Sequence, residues 1–135
     1  MSVDELALDY FHRARVRRTV LDVLNAAAAY ADVVREAQEL VELALKGMLR
    51  WAGVDPPKWH DVGEILVAQS SLMPESVRPD LPDLARISRR LRKEREQAFY
   101  GEVDLIPGQC YDAGQASAAI EEADRVLAAL RHFGR

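Results

Sequence analysis

Apolar residues recur at three- and four-residue intervals along almost the whole chain, the period of helices that each bury one face. Leu6, Tyr10 and Ala14 begin a first helix that continues through Val20, Leu21 and Leu24, with Asn25 its weakest point before an alanine run. In a second helix Val33, Val34, Ala37, Leu40, Val41, Ala44, Leu45, Met48 and Leu49 form a broad apolar stripe. Gly53, then Pro56 and Pro57, end it in the order a helix stop requires. A short third helix is predicted from about Asp61 to Gln69, and the three prolines between Ser70 and Pro82 mark a loop. Pro82 followed by Asp83 opens a fourth helix, Leu84 to about Phe99, which Tyr100 and Gly101 stop. After a loop at Leu105 to Gln109, Asp112 is placed to cap a last helix, Ala113 to His132.

No stretch alternates β-branched and polar residues as a strand would. Four long helices and one short one predict an all-α antiparallel bundle. With no internal repeat and no linker-like break in composition, residues 1–135 read as a single domain.

Composition adjusts this picture little. Hydrophobic residues make up 49% and charged residues 30% of the 135, a globular balance. Cys110 is the lone cysteine, so no intramolecular disulfide can form, as suits a reducing compartment. Asp4, Glu5 and Asp9 stand where a secretory signal carries basic residues, and no apolar run approaches the roughly 18 residues that span a bilayer. The expectation is a cytoplasmic protein with no membrane contact.

Charge is more informative in its distribution than in its sum. The net value of -4 argues against a globally electrostatic nucleic-acid binder. Basic residues nevertheless cluster at Arg13, Arg15, Arg17 and Arg18, and again at Arg86, Arg89, Arg90, Arg92, Lys93 and Arg95. In the second cluster the nearby acids are Glu94 and Glu96, so the run looks poorly neutralised.

The stretch from Ala29 to Leu66, AYADVVREAQELVELALKGMLRWAGVDPPKWHDVGEIL, resembles the HEPN domain family. The likeness is carried by Ala37, Gln38, Glu42, Lys46, Gly53, Pro56, Pro57, His60, Asp61, Ile65 and Leu66, taken in order and spacing. A tyrosine and glycine after an arginine-rich fourth helix extend it loosely over the rest. The resemblance implies a four- to five-helix bundle that often forms a homodimer. It also implies a frequent pairing with a small nucleotidyltransferase, as a toxin–antitoxin pair or a two-part nucleotide-handling enzyme. Many members of the family are metal-independent ribonucleases whose motif is an arginine followed, four to six residues later, by a histidine.

That motif is chemically sensible, because histidine can move the proton of a 2'-hydroxyl and arginine can neutralise the phosphorane. Here Arg95 is followed by Glu96, Gln97, Ala98, Phe99 and Tyr100, so tyrosine, or alanine on the other alignment, stands where the imidazole is expected. A phenol with a pKa near 10 is a poor general base at neutral pH. Arg125 and His132 also fit the spacing, but a basic residue at a helix C-terminus is the plainer explanation of His132.

The candidate catalytic pair is therefore Arg95 with Tyr100. The candidate nucleotide or phosphate contacts are Arg89, Arg92, Lys93 and Arg95 on the fourth helix, with Lys46, Arg50 and His60. Each has a bland alternative. Glu42 and Lys46 are spaced for an i,i+4 ion pair, His60–Asp61 for capping the third helix, and the arginine run for a solvated face. Three histidines and one cysteine show no metal-ligand spacing, and neither a metal nor a cofactor is expected. Trp51 and Trp59 are read as covering the apolar end of the second helix. Three functions remain: a nucleotide-, RNA- or nucleotidyltransferase-binding protein with an incomplete ribonuclease motif, an active ribonuclease using Arg95, or a purely structural subunit.

Overall fold

The computed structural model describes residues 3–56, 58, 61–99 and 106–134, with side chains described from Glu5 onward and, in the third of these stretches, as far as Arg95. Six helices follow one another: α1 (Val3–Ala26), α2 (Tyr30–Trp51), α3 (Val62–Ala68), α4 (Leu81–Phe99), α5 (Pro107–Cys110) and α6 (Ala113–Ala129). Among the described residues there is no strand, and no helix is long and apolar enough to cross a membrane.

The protein is an all-α bundle organised around α2, which touches α1, α3, α4, α5 and α6. The sequence-predicted stripe of α2 is its buried face: Val33, Val34, Ala37, Leu40, Val41, Ala44, Leu45, Met48 and Leu49 are all core residues. The helix ends in a Schellman turn. Gly53, at φ +81, lets its N–H reach the Arg50 carbonyl and the Val54 N–H reach that of Leu49, at 3.0 and 2.9 Å.

The other end of α2 holds a less usual turn. Between α1 and α2 the same pair of bonds forms, Ala28 to Asn25 and Ala29 to Leu24, but the left-handed position is Ala28 (φ +57) rather than a glycine.

The buried face of α1 keeps Ala14 and Leu21 of its predicted apolar positions but not Val20. Ala7, Phe11, Ala14 and Leu21 face the core, whereas Val16, Val20 and Val23 are exposed. The reason is close approach. Phe11 packs against Gly47 of α2, where an added Cβ would stand 2.7 Å from a ring carbon. Phe11 also meets Phe133 at 5.5 Å, and Trp51 meets Phe133 edge-on at 5.3 Å while donating from Nε1 to the Gly134 carbonyl at 2.8 Å. Trp51 thus covers the end of α2 as expected, and Trp59 lies outside the described residues.

Two short connections differ from the loops expected of them. Residues 70–72 and 75–80 wind into 3₁₀ turns, with Pro79 inside the second, and α4 starts at Leu81. Pro107 begins the single turn of α5. Both remaining starts obey their caps. Asp61 accepts from the Gly63 N–H at 3.0 Å to open α3, and Asp112 with Gln115 forms a reciprocal capping box at 2.9 Å on each bond to open α6. Gly63 fits against α4 so closely that a Cβ there would stand 2.8 Å from the Ala85 Cα.

The α4–α6 seam contains a buried acid. Glu122, only 6% exposed, accepts from Arg90 and lies 3.6 Å from Arg86. On the far side Arg18 of α1 bonds Asp124 of α6 at 2.6 Å and Asp22 at 2.7 Å, bonds that raise its guanidinium above its ordinary pKa.

Candidate functional site

The arginines of α4 are not an unneutralised stripe. Their acid partners come from other helices, which a count of neighbours along one helix misses. Arg86 is bound by Asp83 and Glu122, Arg90 by Glu122, Arg89 by Asp61 at 3.3 Å, and Arg95 by Glu39 at 3.2 Å, while Arg92 lies 4.0 Å from Asp61. Lys93 is exposed. Arg89 and Arg92 therefore serve the turn that opens α3, where Asp61 is both N-cap and counter-ion.

A cleft forms where α1, α2 and α4 meet. On α2, the i, i+4 and i+8 positions Gln38, Glu42 and Lys46 share one side, with Glu39 and Leu43 beside them. Arg17 of α1 closes one flank and Arg95 of α4 the other, and together these seven residues line an open space of about 310 Å³. Its three cations (Arg17, Lys46, Arg95) face two carboxylates (Glu39, Glu42), a net of +1.

Glu39 is the hub. Its Oε1 accepts from Arg95 Nη2 at 3.2 Å and lies 3.6 Å from Arg35 Nη1, and its Oε2 lies 3.4 Å from Arg17 Nη1. Arg17 reaches Glu36 as well, at 3.3 Å. All three residues of the Arg17–Glu39–Arg95 bridge are partly solvated, with side-chain exposures of 38, 30 and 40%.

The expected Glu42–Lys46 pair is not formed. Gln38 is 3% exposed and its amide needs an acceptor there, and Glu42 supplies one at 2.7 Å. Lys46 is left with no ion-pair partner among the described residues, its ammonium available at the cleft wall. A mobile point charge beside two forked guanidiniums is a suitable donor set for a phosphate.

Of the residues singled out in the sequence, the fold brings Lys46 and Arg95 together at this cleft. Arg50 turns elsewhere, stacked at 5.5 Å over the Tyr10 ring and 3.6 Å from Asp55. Tyr100 and His60 lie outside the described residues. The second Arg–His spacing is spent on packing: Arg125 bonds Asp83 at 3.0 Å and His132 Nδ1 shares a hydrogen bond with Ser76 Oγ at 2.8 Å. Sequence reasoning missed Arg17 and Glu39. Arg17 stood in the first basic cluster, but nothing in the sequence says that it, rather than its neighbours, reaches Glu36 and Glu39 of α2. Among the described residues no group of three or more His, Cys, Asp or Glu is gathered so as to hold a metal ion.

The family described as HEPN domain matches this chain over residues 7–133. No curated protein and no solved structure matches it.

Proposed function

The chain belongs to the HEPN domain family, and from that premise we propose that it binds the phosphate of a nucleotide or of RNA in the cleft formed by Arg17, Lys46 and Arg95. The observation that carries the reading is the convergence of these three cations, from three different helices, on one open space of about 310 Å³ that holds an unpaired ammonium. A cleft of this size accommodates a mononucleotide or one nucleotide of a strand.

Cleavage is not part of the proposal. The arginine of the ribonuclease motif, Arg95, is engaged by Glu39, and tyrosine or alanine occupies the place of the histidine in the sequence. The small nucleotidyltransferase partner, the homodimer and the cytoplasmic setting that the family and composition imply belong to the same proposal.

The test is direct titration of the purified protein with ATP and with a short 5'-phosphorylated RNA. Binding that weakens with salt, and weakens about tenfold in Lys46→Ala, is expected. Undiminished binding by that variant would overturn the site. Incubation with total RNA provides the second arm: cleavage abolished by Arg95→Ala would replace this reading with the ribonuclease.

A further inference from the structure

Glu39 is an anion already seated between two of the cleft's three cations. Its two oxygens approach Arg17 and Arg95 from α2 at 3.4 and 3.2 Å, much as a phosphate's oxygens would. A ligand anion that binds between these two guanidiniums competes with it for the N–H groups it holds. A displaced carboxylate keeps one cation it already pairs with, because Arg35, which Glu36 engages at 3.3 Å, lies one turn earlier on the same helix at 3.6 Å from Oε1.

We infer that Glu39 makes the cleft selective for terminal phosphates, admitting a dianionic phosphomonoester end and rejecting the monoanionic phosphodiester of an internal strand position. The inference rests on the phosphate-binding reading above and names the ligand class within it. The argument is one of charge. A phosphodiester carries a single charge, as the Glu39 carboxylate does, and replaces a tethered, pre-positioned anion with an equal one that must be ordered from solution. A phosphomonoester carries about -1.5 to -2 at neutral pH. It brings more charge and three acceptor oxygens to the same guanidiniums, and leaves one oxygen for the Lys46 ammonium. Glu39 thereby weakens the binding of one ligand class more than that of the other.

The experiment compares one short RNA sequence bearing either a 5'-phosphate or a 5'-hydroxyl, with AMP and cyclic AMP as the matched small pair, against wild type, Glu39→Gln and Glu39→Asp. Wild type is expected to prefer the phosphorylated end, and AMP over cyclic AMP, by about fivefold or more, the order of one partly solvated ion pair. In Glu39→Gln the ratio is expected to fall below about twofold because the hydroxyl-ended RNA and cyclic AMP bind more tightly, since an amide no longer competes as an anion. Glu39→Asp keeps the charge and is expected to keep a preference. Equal binding of both ends by wild type, or an unchanged ratio in Glu39→Gln with the variant's melting temperature intact, would overturn the selectivity alone. Failure of wild type to bind any of the four ligands would overturn the site reading beneath it.

Discussion

Arg95 of α4 donates from Nη2 to Oε1 of Glu39 on α2 at 3.2 Å, across 56 residues of sequence. This contact joins α4 to α2, the central helix of the bundle. It also places Arg95 on the wall of the cleft that Lys46 shares.

Replacing Arg95 by alanine is expected to separate binding from stability. Glu39 retains Arg17 and Arg35, and the lost pair is partly solvated, so unfolding free energy should change by no more than about 1 kcal/mol. Affinity for phosphorylated ligands should fall about tenfold. Urea denaturation and ligand titration on the same preparation measure both, and equal affinity with lowered stability would contradict the assignment.

Glu122 is the reverse case. It is nearly buried between Arg90 and Arg86, away from the cleft. Glu122→Ala leaves two guanidiniums facing an apolar seam, although both are partly solvated and can rehydrate, so a loss of about 1–3 kcal/mol is expected. Glu122→Gln, which keeps an acceptor, should lose less. A urea midpoint unchanged in Glu122→Ala would show that the seam does not depend on this carboxylate.

At the α1–α2 turn, Ala28 holds a left-handed conformation at φ +57 that a Cβ disfavours. Ala28→Gly is expected to stabilise the protein by about 0.5–1 kcal/mol, since the Schellman bonds to Asn25 and Leu24 stay intact. The gain is read as a rise in melting temperature, and a fall would mean that the unfolded state gains more from the glycine than the turn does.

Tyr111 predicts an alkaline limit. Burial first, and then its hydrogen bond to the Glu94 carboxylate at 3.0 Å, push its phenol up to about 12. A raised folded-state pKa gives stability that is fully present below the unfolded value near 10 and is lost as pH rises through 12, because the unfolded chain gives up its proton first. Stability should therefore be flat in this respect to about pH 10, then fall by ~2 kcal/mol. Tyr111→Phe should flatten that fall, and an identical alkaline profile in the two proteins would refute it.

Much of the architecture was legible in order along the chain. The stripe of α2, its glycine stop, the Asp61 and Asp112 caps and the helix order each depend on neighbours within a turn or two, where period and side-chain chemistry suffice. The buried side of α1 was less readable. Its outer face carries three valines, while the true contact runs through Ala7, Ala14 and the Phe11–Gly47 approach, which only a partner helix reveals.

The candidate site divides in the same way. The residue types, arginine at 95 and lysine at 46, were visible in the sequence. Their company was not. Whether a charge is free or neutralised depends on carboxylates tens of residues away: Asp61 for Arg89, Glu122 for Arg90 and Glu39 for Arg95. Gln38 illustrates the same point inside one helix, since its burial by the tertiary fold is what claims Glu42 and leaves Lys46 unpaired. The sequence by itself determined the long helices and most of their ends, because those follow from local periodicity and capping, and a set of residues in order and spacing carried the family resemblance. Only the tertiary structure decided which cations meet, because Coulombic partnership and desolvation depend on distances in space that helical period does not encode.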